Sequence, residues 1–486
     1  NMSSTAQVSA SKRIEALLDD NSFVEIGGYV TARSTDFNMQ QKETPADGVI
    51  TGYGVIEGNL VYVYSQDATV MNGSIGEMHA KKIAKLYQMA LKVGAPVIGF
   101  IDCAGLRLQE ATDALNGFGE IYMQQTLASG VIPQITAIFG TCGGGMAVVP
   151  TLTDFTFMEE KNAKLFVNSP NAIDGNSISK LDSASAKFHS EQSGMVDAIG
   201  EETSILAEIR KLITILPANN EDDLSYSECV DDLNRVCADL ENAAADPAVV
   251  LSQLSDDSFV FETKKAYAKE MVTALIRLNG STVGVVANRS VLYGEDGEVA
   301  EEFDAVLTTA GCEKAADFVN FCDSFNIPVL TLVNVKGYQA TISEEKTIAK
   351  AAAKLTYAFA NTTVPKVSVV IGEAYGSAYL TMNSKSIGAD IVYAWPNATI
   401  GMMDATQAAR IMYTEELSKA ADANGLLSEK AAEYASLQSS AVAAAKRGYV
   451  DDIIEAQDTR KYVIGAFEML FTKREDRPAK KHGCVK

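Results

Sequence analysis

Two glycine-containing segments are the residues of this chain whose types and spacing could do chemistry: GTCGGGM at 140–146 and GEAYGSAY at 372–379. Each follows a short apolar run and precedes a helix-compatible segment, so each predicts a strand-to-helix turn. The first N–H groups of a helix have no intrahelical partner, and the helix dipole there favours negative charge. Glycine lets a ligand carbonyl approach two adjacent donors closely. An oxyanion hole is therefore predicted at each turn, the alternative being a turn that merely packs.

Other catalytic chemistries find little support. The sequence contains no GxGxxG opening a dinucleotide fold, no phosphate-binding P-loop, no GxSxG elbow and no HExxH. Three histidines leave little room for a Ser/His/Asp relay, and seven cysteines form no CxxC pair. His79, in GEMHAKK, is favoured as a packing residue on a helix. The chain is expected to be reduced, with no metal in it, and not to rely on side-chain acids and bases.

The two turns occupy equivalent places in an internal repeat. Five landmarks recur with separations of 9, 28, 7 and 4 residues in both halves: Pro96, Gly105, Pro133, Gly140 and Gly144, and Pro328, Gly337, Pro365, Gly372 and Gly376. Such a long-period repeat dictates architecture. It predicts two homologous domains fused in tandem, over residues 1–245 and 246–486.

The elements that must position the turns follow the same order in each half. A hairpin-like stretch (58–67 and 280–289) precedes a helix, a short apolar strand after proline, a second helix and another apolar strand. Strands without alternation indicate burial on both faces, which favours an α/β fold. The segment from about residue 190 to residue 255 is acidic and is interpreted as a connector between the two repeats. The uncharged 18-residue stretch 133–150 is interpreted as a buried strand, loop and helix start, not a membrane span.

The net charge of the chain limits the kinds of molecule it is expected to bind. A formal net charge of −22 over 486 residues argues against nucleic acids and anionic membrane surfaces as general partners. No N-terminal stretch combines a basic region, an apolar run and a small-residue cleavage site, so secretion is not expected. The location expected is the cytoplasm.

Motifs along nearly the whole chain resemble the biotin-dependent acyl-CoA carboxyltransferase family, which includes propionyl-CoA and acyl-CoA carboxylase β subunits and methylmalonyl-CoA decarboxylase α subunits. The motifs that carry the resemblance are RIEALLDDNSFVEI (13–26), SQDATVMNGSIGEMHAKKIAK (65–85), NGFGEIY (116–122), SGVIPQI (129–135), LTDFTFM (152–158), LPANNEDD (216–223), FVNFCDSFNIPVLT (318–331), SKSIGADIVYAWP (384–396), GYVDDII (448–454) and KREDRPAKKHG (473–483).

The resemblance implies two crotonase-like domains, the first binding acyl-CoA and the second biotin, in a hexamer built as a trimer of dimers. The active site would lie between the first domain of one subunit and the second domain of another. Gly144 and Gly145 would be the catalytic donors to the thioester or enolate oxygen. Ser377 and Ala378 would hold the biotin ureido oxygen, with Gly376 also in the biotin site.

The segment CAGLRLQE (103–110) matches the family's Ser-Gly-Gly-Ala-Arg-Ile-Gln-Glu. By this resemblance Gly105, Leu106 and Arg107 line the CoA pocket, although Arg107 could instead pair with Glu110 on a helix face. Leu380 replaces an Asp of the propionyl- and acetyl-CoA enzymes and is assigned to the acyl pocket, which leaves the acyl group open.

Two further departures lie in the half that should bind biotin. The family's Val-Asp-Val-Pro-Gly-Phe loop is VNVKGY (333–338) here, and Arg-His-Gly-Ala-Lys is KAAAK (350–354). They motivate an alternative in which the chain is a non-catalytic scaffold paralogue. A crotonase-type hydratase or isomerase is a third reading, but it needs catalytic carboxylates near the first turn, and GTCGGGMAVVP has none.

The function implied is transfer of a carboxyl group between carboxybiotin on a separate carrier protein and the α-carbon of a short acyl-CoA, through enolates held in the two holes. The same site run in reverse would serve a sodium-pump decarboxylase of the methylmalonyl-CoA type. The partners implied are the biotin carrier protein and either a biotin carboxylase or a membrane decarboxylase subunit, in which case the chain would be peripheral to the membrane.

Overall fold

The computed structural model describes residues 9–222 and 226–485, so the last residue of the motif 216–223 lies outside the described ranges. The chain forms two compact units, Asn1–Ser225 and Tyr226–Lys486. The division falls before the boundary predicted after residue 245. The intervening residues pack with the second unit, since Cys237 and Leu240 belong to its core and the Cys237 N–H donates to the Gln457 carbonyl at 2.9 Å.

The first unit is built on an eight-stranded sheet in the order β1-β2-β3-β4-β5-β6-β8, with β7 also paired to β5. Its strands are β1 (Val24–Ile26), β2 (Val49–Ile56), β3 (Asn59–Gln66), β4 (Val97–Cys103), β5 (Gln134–Gly143), β6 (Phe155–Glu159), β7 (Lys164–Phe166) and β8 (Ala198–Gly200). Its helices are α1 (Ala10–Leu17), α2 (Glu77–Val93), α3 (Ala111–Ala128), α4 (Val148–Thr151), α5 (Ala186–Phe188) and α6 (Glu202–Ile215).

The second unit has an eight-stranded sheet in the order β18-β16-β15-β14-β11-β10-β9, with β17 also paired to β15. The strands of the unit are β9 (Val260–Thr263), β10 (Met271–Leu278), β11 (Ser281–Asn288), β12 (Val291–Tyr293), β13 (Val299–Glu302), β14 (Val329–Val335), β15 (Lys366–Tyr375), β16 (Ile391–Ala394), β17 (Thr399–Gly401) and β18 (Asp452–Ile453). Its helices are α7 (Pro247–Leu254), α8 (Thr309–Ser324), α9 (Ile342–Glu345), α10 (Ile348–Asn361), α11 (Gly376–Thr381), α12 (Ala405–Met412), α13 (Thr414–Lys419), α14 (Ala423–Tyr434), α15 (Ala441–Lys446) and α16 (Thr459–Met469).

The two sheets share one topology. The antiparallel hairpin β2–β3 corresponds to β10–β11, and the parallel series β3-β4-β5-β6 corresponds to β11-β14-β15-β16. Even a register shift recurs, between Ile101 and Cys103 on β4 and between Val333 and Val335 on β14. The tandem duplication and the α/β class predicted from the repeat are therefore confirmed.

The central strands are buried because helices cover the sheet. All seven residues of β4 are buried, including Asp102, in agreement with the burial predicted from the mainly apolar run that does not alternate with polar residues. Helices α2 and α8 occupy the two predicted helical segments. Helix α2 ends at Val93 and is followed by the C-cap residue Gly94, whose left-handed conformation (φ +70°) suits glycine. Helix α8 begins after Thr308, whose hydroxyl accepts the Gly311 N–H at 3.0 Å.

The uncharged stretch 133–150 forms β5, a 3₁₀ turn over Gly144–Ala147 and the start of α4, as predicted. The segment predicted as a connector contributes β8 and α6 to the first unit and α7 to the second. Within residues 9–222 and 226–485, no helix has the length and apolar character needed to cross a membrane.

Candidate functional site

In the first unit, the turns that follow β4 and β5 are neighbours. The two strands are parallel, and Cys103 near the end of β4 is the register partner of Cys142 near the end of β5. Because carboxyl ends of adjacent parallel strands meet at one sheet edge, the segment 103–107 lies beside the turn 143–147. The structure thus brings together Gly105, Gly144 and Gly145, which sequence reasoning assigned to one acyl-CoA site.

The turn after β5 is packed on one side and open on the other. Gly144 has φ +62°, and a Cβ built there would meet no atom within 4 Å. A Cβ on Gly145 would lie 3.0 Å from the Phe118 ring and 3.1 Å from the Tyr122 hydroxyl. That hydroxyl also donates a hydrogen bond to the Gly145 carbonyl. Gly145 therefore rests against α3, whereas Gly144 faces open space.

The N–H groups of this turn can donate to a ligand. Gly144 and Gly145 are the first two residues of the 3₁₀ helix, where N–H groups lack intrahelical acceptors. Among the described residues, neither N–H donates in the backbone hydrogen bonds made outside helices and strands, and no side chain caps the helix. Two adjacent donors at an open turn can stabilise an oxygen that gains negative charge.

The segment after β4 is fixed by backbone hydrogen bonds to Ile75. The Ile75 N–H donates to the Gly105 carbonyl at 2.9 Å, and the Arg107 N–H donates to the Ile75 carbonyl at 2.8 Å. Gly105 has φ +110°, and its N–H lies 3.3 Å from the Cys103 sulfur. Leu106 is 40% exposed. Gly105 and Leu106 thus offer backbone and apolar surface next to the Gly144 turn.

Arg107 is buried beneath this segment. Its guanidinium lies 2.5 Å from an Asp47 carboxylate oxygen and 2.7 Å from a Glu110 oxygen, and it donates to the Ser74 carbonyl at 3.0 Å. The pairing with Glu110 that the spacing allowed is therefore present, and the charge faces the interior. Burial raises the pKa of Asp47, an effect that Arg107 opposes. Arg107 thus links the segments that contain Asp47, Ser74 and Glu110 beneath the Gly105 turn. A contact between Arg107 and CoA stays a prediction.

His79 lies in the same interior and is neutral. Its Nδ1 is 2.9 Å from the Asp47 carbonyl oxygen and must carry the proton, which leaves Nε2 to accept from the Gln66 amide at 3.2 Å. Burial lowers the pKa of His79 from 6.5 to about 3. The packing role favoured for His79 agrees with this arrangement.

The second unit repeats the arrangement at the ends of β14 and β15. The Leu307 N–H donates to the Gly337 carbonyl at 2.9 Å, and the Gln339 N–H donates to the Leu307 carbonyl at 2.9 Å. This pattern matches that of Ile75 with Gly105 and Arg107. Tyr338 consequently occupies the place that Leu106 has in the first unit.

The turn after β15 also begins on a left-handed glycine. Gly376 has φ +65° and is the first residue of α11, so the N–H groups of Gly376, Ser377 and Ala378 lack intrahelical acceptors. A Cβ on Gly376 would lie 3.3 Å from the Met402 carbonyl oxygen. Ser377 is exposed, Ala378 is buried, and Leu380 is 42% exposed on the same helix. The four second-half residues predicted from sequence therefore cluster at one turn.

The altered loop VNVKGY keeps the geometry of the first unit. The Asn334 side-chain oxygen accepts the Glu373 N–H at 3.1 Å, and a Cβ on Gly372 would lie 2.6 Å from that oxygen. Asp102 lies in the same way against Gly140, where a Cβ would lie 2.0 Å from its carboxylate. Asn334 thus supplies the hydrogen-bond acceptor that links β14 to β15 where their register shifts.

Sequence reasoning missed two tyrosines. Tyr122 holds the Gly145 carbonyl, and the Tyr338 hydroxyl lies 3.0 Å from the Ser377 hydroxyl. Tyr338 is the last residue of the altered loop VNVKGY, so the departure itself was a signal. For Tyr122, the motif NGFGEIY marked the helix, but no sequence pattern indicates that its hydroxyl reaches the turn.

Comparison with known proteins gives the family. Residues 4–485 match the carboxyl transferase domain. The chain is 39% identical over 494 residues to methylmalonyl-CoA decarboxylase subunit alpha of Propionigenium modestum, covering 99% of this chain and 93% of that protein. It is 39% identical over 491 residues to the propionyl-CoA carboxylase beta chain of Roseobacter denitrificans, covering 99% and 94%.

A solved structure of the transcarboxylase 12S hexamer with hydrolysed methylmalonyl-coenzyme A bound superposes with a TM-score of 0.92. It is 37% identical to this chain, and the match covers 99% of this chain and 93% of the other. The crotonase-like duplication implied by the motifs is confirmed by this likeness. The chain therefore belongs to the carboxyl transferase domain family, as its resemblance to the biotin-dependent acyl-CoA carboxyltransferases indicated.

Proposed function

We propose that the chain is the carboxyltransferase subunit of a biotin-dependent acyl-CoA carboxylase or decarboxylase, acting on the α-carbon of a short acyl-CoA. Support comes from one turn being built twice: Gly144 and Gly376 are both left-handed, and each begins a helix at the carboxyl end of a buried parallel strand. A reaction in which two different oxygens gain charge needs two such turns.

On the acyl side, the N–H groups of Gly144 and Gly145 bind the thioester oxygen and stabilise it as an enolate forms. One preorganised donor of this kind is commonly worth about 10²–10³ in rate. Gly105 and Leu106 present backbone and apolar surface to CoA. Arg107 acts through its buried ion pairs, which hold this segment against the turn.

On the other side, the N–H groups of Ser377 and Ala378 would hold the ureido oxygen of biotin, which would supply the carboxyl group or receive it. The residues present fit a carbonyl-type oxygen, since the N–H groups in the first turn of α11 lack intrahelical acceptors and the side chain of the N-cap residue Tyr375 does not cap them. Gly376 keeps this approach free of a side chain. Leu380, partly exposed on α11, contributes to the acyl pocket.

The assembly we infer is a homo-oligomer, a hexamer, in which the two turns of one active site come from different subunits. Support comes from the 12S structure, which is described as a hexamer in a multienzyme core. Biotin arrives on a separate carrier protein, with a biotin carboxylase or a membrane decarboxylase subunit as the further partner. Light scattering of the purified chain tests the assembly, and a monomer at working concentration would contradict a shared site.

Relatives named as a decarboxylase and as a carboxylase are equally similar to this chain, each 39% identical, so the proposal covers both directions of carboxyl transfer. Incubation with malonyl-CoA or methylmalonyl-CoA and free biotin tests the shared chemistry. Biotin-dependent formation of acetyl-CoA or propionyl-CoA, followed by liquid chromatography, is the expected result. Intact CoA binding without decarboxylation would favour the scaffold alternative, and biotin-independent turnover of an enoyl-CoA would favour a hydratase or isomerase.

A further inference from the structure

Two hydroxyl groups meet at the second turn. The Tyr338 hydroxyl, on the loop after β14, lies 3.0 Å from the Ser377 hydroxyl, on the first turn of α11. Tyr338 is half-buried and Ser377 is exposed, so the pair lies at the open side of the turn. The N–H of Ser377 belongs to the same residue, which places the pair next to the proposed donors.

The number of protons in the pair gives it a chemical property. Each hydroxyl has one proton to donate, and the hydrogen bond between them uses one of the two. Whichever hydroxyl donates within the pair, the other retains a proton that can be donated outward. The pair therefore always offers one additional donor to an oxygen bound at the turn.

Among the described residues of the first unit, the corresponding positions hold no such pair. Leu106 and Gly145 occupy the corresponding positions, and neither carries a hydroxyl. The family loop that VNVKGY (333–338) matches has Phe where Tyr338 stands, and the first turn of this chain has Gly145 where the second has Ser377. Both differences add a hydroxyl, and the two hydroxyls contact each other. The Tyr122 hydroxyl at the first turn, by contrast, donates its one proton to the Gly145 carbonyl.

We propose that Tyr338 and Ser377 form a hydroxyl pair that donates a third hydrogen bond to the oxygen held by the N–H groups of Ser377 and Ala378. This inference rests on the proposed function. The ligand class is a cyclic urea, whose carbonyl oxygen would gain negative charge as the carboxyl group is transferred. A hydrogen bond to a charged oxygen is stronger than one to a neutral oxygen, so the pair favours the charged form.

Kinetics of Tyr338→Phe and Ser377→Ala test the pair, with free biotin varied at saturating methylmalonyl-CoA and the reverse. Each variant should lower kcat/KM for biotin by about tenfold, the size of one hydrogen bond to a developing charge. Either single variant leaves a hydroxyl that keeps its proton but loses the hydrogen bond that orients it, so the double variant should lose little more than either single variant. The KM for methylmalonyl-CoA should stay within about twofold of the original value.

Tyr449→Phe is the matched control, because it removes the hydroxyl of a tyrosine that is 56% exposed elsewhere in the second unit. It should leave both parameters unchanged. A merely structural role for the pair would instead lower the melting temperature and affect both substrates alike. Equal losses toward both substrates, or a Tyr338→Phe variant within about twofold of the unmodified protein, would overturn the inference.

A ligand-observed NMR titration with biotin separates this inference from the proposed function. If the unmodified chain decarboxylates no acyl-CoA but binds biotin, and Tyr338→Phe weakens that binding, the hydroxyl pair stands and the transferase function fails. If turnover is normal and biotin binding and kinetics are unchanged in both variants, the pair fails and the function stands. Absence of both turnover and biotin binding in the unmodified chain overturns both.

Discussion

Replacement of Gly144 by alanine is the change that most directly tests the acyl-side turn. The residue has φ +62°, where an L side chain costs about 1–2 kcal/mol. A Cβ there would meet no atom within 4 Å, so the methyl group enters the open space beside the N–H donors without a clash. Strain and obstruction of the donors are therefore the only expected effects.

Gly58 is a matched control in the same unit. It has φ +79° in the β2–β3 hairpin, and a Cβ there would also meet nothing within 4 Å. Gly144→Ala and Gly58→Ala should both lower the melting temperature by about 2–8 °C, since 1 kcal/mol corresponds to about 2–4 °C for a unit of this size. The backbone strain at the two alanines is comparable, but only Gly144 lies at the turn after β5, beside the proposed N–H donors.

Activity should separate the two variants. Gly144→Ala should reduce kcat for biotin-dependent decarboxylation of methylmalonyl-CoA by about 10²–10³, the cost of losing one preorganised donor. Gly58→Ala should stay within about twofold. The reasoning is refuted if Gly144→Ala keeps more than about half of the activity, or if both variants lose activity equally. Gly145→Val, which should also abolish turnover, is less clean because its side chain would strike Phe118 and Tyr122.

Three further predictions concern Arg107, His79 and Tyr122. Arg107→Met should lower the free energy of unfolding of the first unit by about 3–5 kcal/mol in urea unfolding, because it leaves two buried carboxylates uncompensated. A decrease below about 1 kcal/mol would contradict the buried ion pairs. The pKa of His79 is lowered from 6.5 to about 3, so between these pH values the folded state binds fewer protons than the unfolded state, and stability falls as the pH falls. His79→Gln should therefore make the melting temperature less dependent on pH between about 3 and 6.5. An unchanged slope of melting temperature against pH would argue against a neutral His79. Burial raises the pKa of Tyr122, which stays a donor at neutral pH. Tyr122→Phe should therefore free the Gly145 carbonyl, lower kcat by up to about tenfold and lower the melting temperature by about 2–4 °C, since one hydrogen bond is worth about 1 kcal/mol. An unaltered kcat would show that this hydrogen bond does not position the turn.

Features that depend on neighbours along the chain were predictable. The apolar strands, the helices between them and the left-handed glycines leave local signals, because burial on both faces removes alternation and a positive φ favours glycine. The equal spacing from Pro96 to Gly144 and from Pro328 to Gly376 then determined the duplication. The end of the first unit was less evident, since Cys237 and Leu240 join the second core through contacts that no local pattern reports.

Contacts between distant residues were decided only by tertiary structure. From the sequence, Arg107 was assigned to the CoA pocket, with pairing to Glu110 as the alternative. Only the fold shows that it is also buried against Asp47, which lies 60 residues away. Tyr338 and Ser377 are 39 residues apart, and they meet only because β14 and β15 end side by side. The sequence by itself determined where the two glycine turns are and that they are equivalent. Long-range pairing of the strands decided which side chains surround each turn, because a side chain's partner depends on register and packing that its own neighbours do not encode.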